Sequence, residues 1–141
     1  MKKPIMFFMI GFLLSVGVVF VLGGIGTTFH WTHGSTNFSN RAIVQTGRTV
    51  VLGIAEITSS VNETWGNLGA RVNIHNDSWH LIDSSAWSFN SSTTRFHSHN
   101  FSISNPPIGN YCSQGETAFY RNGGYTYVWT WCSPFQGFPG Y

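Results

Sequence analysis

The sequence predicts an all-β fold: a small antiparallel β-sandwich or β-barrel-like domain preceded by an N-terminal hydrophobic export helix. Three observations predict it. Past residue 26 the chain is rich in Ser, Thr, Asn, Gly and aromatic residues and poor in Lys, Glu, Leu and Ala, which favours strands and turns over helices. Its apolar-periodic runs are short and separated by turn signals, the pattern of a sandwich or small barrel. The first 26 residues, MKKPIMFFMIGFLLSVGVVFVLGGIG, run from a basic start at Lys2 and Lys3 through apolar residues to small ones. The secretion machinery reads that order.

Two domain-level segments follow from this. Residues 1–26 are a signal peptide or an N-terminal membrane anchor, and residues 27–141 are a single extracytoplasmic β-rich domain. Gly24 and Gly26 offer small residues for cleavage before Thr27. The apolar run Ile5 to Ile25 is also long enough to cross a bilayer at about 1.5 Å per residue, so retention is the alternative. Either way the domain is expected to be secreted or held at the extracytoplasmic face of the membrane. It would touch the membrane only through an uncleaved N-terminal segment.

Along the domain, Thr27 to Thr46 is polar and aromatic without clear periodicity and reads as an extended entry segment. Arg48 to Ile57 is β-branched and apolar, the mark of a buried strand. However, Val50, Ile54, Ile57, Val61 and Trp65 also fall at helical spacing, which leaves a helix over 49–64 open. Gly66-Asn67-Leu68-Gly69 reads as a turn, and Val72 and Ile74 share one face of the next strand. After a turn at Asn76-Asp77-Ser78, Trp79, Leu81, Trp87 and Phe89 mark apolar positions. Asn90 to Thr93 turns the chain again. Arg95 to Ile103 carries Phe96, Phe101 and Ile103 with a slip in alternation that suggests a bulge. Asn105-Pro106-Pro107 ends that strand, because proline donates nothing to a ladder.

Residues 111–132 form the most strongly specified unit. Asn122-Gly123-Gly124 is a hairpin turn of residues that tolerate positive φ. Cys112 and Cys132 lie symmetrically about residue 122, so folding there brings them opposite each other to within one register position. A disulfide between them is the expectation for an exported chain. It closes a loop of about 20 residues, for which chain entropy predicts ~3 kcal/mol. The tail Ser133 to Tyr141 reads as irregular chain lying over the sheet.

Charge excludes some functions. Of seven Lys and Arg, Lys2 and Lys3 lie in the leader, so the five arginines left match the five acids and the domain is neutral. Without a basic stripe it is not a nucleic-acid binder. No phosphate loop, HExxH or GxSxG occurs, and no cofactor is implied. The few carboxylates, Glu56, Glu63 and Glu116 among them, read as surface residues rather than a glycosidase pair.

Two constellations remain. Tyr125, Tyr127, Trp129 and Trp131 are two apart and share a strand face. With so few aliphatics available, that face is expected to fill the core. If it faced solvent it would be a stacking platform for a ligand. His97 and His99 sit on one side of a strand and could contribute two ligands to a metal, though no spacing matches a zinc signature. Five Asn-x-Ser/Thr sequons, at Asn37, Asn62, Asn76, Asn90 and Asn100, would be surface glycan sites in a eukaryotic secretory pathway. The resulting expectation is a non-enzymatic extracellular binding protein whose ligand is a glycan, a cell-envelope component or another protein. The alternative is a membrane-active or toxin-like protein in which amphipathic strands such as Ser84–Ser104 insert after oligomerising.

Overall fold

The computed structural model describes residues 22–140; residues 1–21 and Tyr141 lie outside the described residues, and with them most of the expected export segment. In chain order the strands are β1 (Leu22–Ile25), β2 (Phe29–His33), β3 (Thr36–Thr46), β4 (Val50–Glu63), β5 (Leu68–Asn76), β6 (Leu81–Ser84), β7 (Ser88–Phe89), β8 (Thr94–Ser104), β9 (Gly109–Arg121), β10 (Gly124–Trp129) and β11 (Gln136–Phe138). They form two antiparallel sheets. The first runs β1-β3-β4-β8, with β2 also on β3; the second runs β10-β9-β5-β6, with β11 on β9 and β7 on β5. Among the described residues no helix is long and apolar enough to cross a membrane.

The inward faces of the two sheets meet in the core. One cluster joins Val44 and Val51 of the first sheet to Val72, Ile74 and Tyr111 of the second, with Phe138 from β11. A second cluster stacks Phe38 on Phe119, ring centroids 4.4 Å apart, beside Ile57 and Leu68. Burying such residues contributes ~1.5–3 kcal/mol each, so these two clusters dominate the stability of the fold.

The segment 49–64 is a strand, and the helical spacing within it is coincidental. Val51, Ala55, Ile57 and Ser59 are buried at alternate positions, and the outward side also carries Leu52 and Ile54. Apolar residues on both faces blur period two into something that resembles period 3.6. The supposed entry segment also differs from expectation: residues 27–46 hold β2 and the eleven-residue β3. Its inward set of Phe38, Asn40, Ala42, Val44 and Thr46 is only partly apolar, which hides the alternation. Asn40 is held there by its Nδ2, which donates to Thr117 Oγ1 at 2.7 Å and to Val128 O at 3.3 Å, while its Oδ1 is buried without a partner among the described residues.

The expected irregularity in β8 lies at its start: the register against β4 is continuous from Phe96↔Thr58 to Ser104↔Val50, and it shifts between Thr58 and Glu63, where Thr94 pairs with Glu63. The inward positions are His97, His99, Phe101 and Ile103, while Phe96 points outward. The tail is also more ordered than expected, since β11 pairs with Gly109–Tyr111 and Phe138 enters the core.

The hairpin is where the sequence places it. Asn122 (φ 53°) and Gly123 (φ 86°) occupy the turn, as a tight hairpin with two positive-φ residues requires. β10 follows β9 from Gly124↔Arg121 to Trp129↔Glu116 and then leaves the ladder. Beyond it, buried Thr130 and Ser133 accept with their hydroxyls from Gly115 N–H (2.7 Å) and Ser113 N–H (2.9 Å). The disulfide Cys112–Cys132 closes this end, with Cα atoms 6.1 Å apart.

Candidate functional site

The outward face of the second sheet is aromatic. The hairpin register sets Tyr125 opposite Tyr120, Tyr127 opposite Ala118 and Trp129 opposite Glu116. On the other side of β9, β5 sets Gly69 beside Ala118 and Arg71 beside Glu116, and β7 sets Phe89 beside Gly69. Side chains that share a register position share a face. Five rings therefore meet over β10, β9, β5 and the segment just before β7. The ring-centroid distances are 5.2 Å for Tyr120–Tyr125, 5.1 Å for Phe89–Tyr125, 5.3 Å for Trp87–Tyr127 and 5.9 Å for Trp87–Phe89.

The expectation that Tyr125, Tyr127, Trp129 and Trp131 fill the core is corrected by this geometry. Tyr127 is 54% exposed and Trp129 51%, and Tyr125 and Trp131 are exposed as well. The core needs none of them, because Phe38, Phe119, Tyr111 and Phe138 supply its rings. Only Tyr125 and Tyr127 belong to the five-ring cluster. Trp129 continues the face past it, and Trp131 lies beyond the end of β10.

At one end of the face Trp65, 75% exposed, stands at the rim of a shallow cleft of about 330 Å³ shared with Gly66, Asn67, Phe89, Tyr120 and Tyr125. Tyr125 is fixed by its hydroxyl donating to Gly66 O at 2.7 Å. At the other side Arg71 pairs with Glu116 at 2.7 Å and lies 5.6 Å from the Trp87 ring centroid. Trp87, Phe89, Tyr120, Trp65, Arg71 and Glu116 are members that the expected row of Tyr125, Tyr127, Trp129 and Trp131 leaves out. Tyr120 was within reach, since the turn at 122–123 already places it across from Tyr125.

The three glutamates are not simple surface residues. Glu63 is 2% exposed and receives both terminal nitrogens of Arg121 and the Ser59 hydroxyl. Burial alone would raise its pKa. The hydrogen bonds from Arg121 and Ser59 and the charge of Arg121 outweigh burial and hold the carboxyl below the usual range. Glu56 pairs with Arg41 on the outward face of the first sheet, whereas Glu116 lies on the outward face of the second. These two carboxylates are on opposite sides of the molecule and do not face one bond of a substrate.

His97 and His99 lie on the inward side of β8. His97 Nε2 is 3.0 Å from Ser88 O. Burial pushes both imidazoles below their ordinary pKa; for His97 the bond to Ser88 opposes this and His99 adds to it. Among the described residues no three His, Cys, Asp or Glu side chains form a metal-binding group. Of the cleavage candidates, Gly24 lies within β1 and Gly26 just after it. Both are buried, while Thr27 is exposed. Among the sequon asparagines, Asn37, Asn62 and Asn100 are exposed. Asn90 is buried, with Nδ2 donating to Thr64 O and Ser92 O and Oδ1 accepting from Leu68 N–H, so it is closed to modification in the fold.

The chain matches no protein-family model and no curated protein.

Proposed function

We propose that the protein is an exported, non-enzymatic domain that binds carbohydrate, an extracellular glycan or a cell-envelope polysaccharide, on this aromatic face. The observation that carries the reading is the outward-facing cluster of exposed Phe89, Tyr120, Tyr125 and Tyr127 with half-buried Trp87, over a floor of Gly69 and Ala118. Rings of this size left in water are unfavourable, and an apolar patch rimmed by polar groups marks a ligand surface. A sugar presents a C–H face to stack on rings and a hydroxyl edge to hydrogen-bond. The Arg71–Glu116 pair beside Trp87 offers both donors and acceptors for that edge. Secretion is supported by the leader-like residues 1–26 and is compatible with the disulfide.

The test is retention of the folded protein on insoluble polysaccharides such as chitin, cellulose and peptidoglycan. Retention lost on replacing Tyr125 and Tyr127 by Ala supports the reading. A second reading, membrane activity, is favoured by one observation: β8 is an edge strand with Ser98, Asn100 and Ser102 outward and Phe101 and Ile103 inward. Leakage of dye from liposomes at micromolar protein would support it, and intact liposomes would remove it.

A further inference from the structure

We propose that on export this chain is cut after Gly17 rather than after Gly26, so that Leu22–Ile25 remains an integral strand of the mature domain. The inference rests on the export reading above and adds to it where the mature protein begins. Hydrolysis by a signal peptidase would add water across the Gly17–Val18 amide, leaving a carboxylate on Gly17 and an amino group on Val18.

The fold supplies the first argument. β1 pairs with the end of β3 from Leu22↔Thr46 to Ile25↔Ile43, and Gly26 N–H donates to Ala42 O at 2.7 Å. A cut after Gly26 would strip the Ile43–Thr46 margin of β3 of its partner and leave an open sheet edge there. The chain between Cys132 and β11 also lies directly against β1. A Cβ on Gly24 would sit 2.6 Å from Pro134 O, and one on Gly26 2.8 Å from Ala42 O and 3.2 Å from Ser133 Cα. No side chain fits at either position. Glycines matched to both walls of a gap are what an integral strand requires, whereas a discarded leader never meets those walls.

The sequence supplies the second argument independently. Ser15-Val16-Gly17 is another pair of small residues one apart, the pattern a signal peptidase reads. A cut after Gly17 leaves Ile5–Leu14, ten residues, as the apolar core ahead of the cleavage motif. That falls within the roughly 7–15 residues of a secretory core, while a cut after Gly26 implies a much longer one.

The test is the full chain expressed in a secreting host, with intact mass and N-terminal sequence read on the exported protein. The expected N-terminus is Val18, and Gly17→Leu is expected to abolish the cut. An N-terminus at Thr27, or an exported chain still beginning at its first residues, overturns the proposal. A second arm needs no export: oxidised chains 18–141 and 27–141 are compared by thermal unfolding. The shorter chain is expected to melt at least about 5 °C lower or not to fold, and equal midpoints overturn the role given to β1. A chain that stays in the cytoplasm while the second arm succeeds would count against export and not against the strand.

Discussion

The ring of Phe89 lies directly on the backbone of Gly69: a Cβ at residue 69 would stand 2.5 Å from Phe89 Cε1. The missing side chain lets the two-residue strand β7 fold its aromatic residue flat onto β5. From there Phe89 reaches Trp87 on one side and Tyr125 on the other. The aromatic face is thus built by a glycine on the sheet as much as by the rings above it.

Gly69→Val is therefore expected to lift Phe89 off the sheet and break the middle of the cluster. If a stacked ring contributes ~0.5–1.5 kcal/mol, polysaccharide affinity falls by about 2- to 10-fold. Depletion binding of the folded variant checks this, with near-ultraviolet circular dichroism reporting the displaced ring.

Tyr127→Ala separates binding from folding. Tyr127 is more than half exposed, so its loss is expected to shift stability by no more than about 0.5 kcal/mol while weakening carbohydrate binding. Trp129→Ala is expected to be as stable and to weaken binding less, because Trp129 lies past the five-ring cluster. Thermal melts and binding isotherms on the same preparations make the comparison.

The Glu63–Arg121 pair joins the end of β4 to the hairpin, and Glu63 is nearly inaccessible to water. Arg121→Met strands a buried carboxylate and is expected to destabilise the fold by about 3–5 kcal/mol. Urea denaturation measures it. Replacing both residues, Glu63→Gln with Arg121→Met, is expected to recover part of the loss.

Acid should act through two sets of groups. His97 and His99 have pKa values lowered by burial, so the unfolded chain takes up protons first as pH falls below about 6.5. Stability is expected to decline from there down through the folded-state values. The lowered pKa of Glu63 has the same sign in a lower window: its contribution is complete above the unfolded carboxyl value and is lost as pH falls through the folded one. A pH series of melting temperatures should show both declines, and the His97→Gln/His99→Gln variant should lose the upper one.

Much of this fold was legible where local chemistry is strong. The hairpin at Asn122-Gly123, the inward pair Val72 and Ile74, and the Cys112–Cys132 disulfide each follow from short-range rules that tertiary context did not override. What stayed hidden were inward positions that are polar. Asn40 and Thr46 on β3 and His97 and His99 on β8 break the apolar alternation; Asn40 is bonded to Thr117 across the core, His97 contacts Ser88 O, and β8 lies at the edge of its sheet. The side of the sheet that the aromatic row faces is hidden for a related reason. Which side of β10 meets the core depends on Phe119 and Thr117 of β9, and no spacing within 125–131 carries that information.

The most direct test of the carbohydrate reading is retention on insoluble polysaccharide by the wild-type domain and by Tyr125→Ala/Tyr127→Ala, both shown to be folded and oxidised. The expected result is retention of the wild type, release by soluble oligosaccharide, and at least about a 10-fold loss in the double variant. Equal retention of the two, or no retention of the wild type on any polysaccharide, would contradict it.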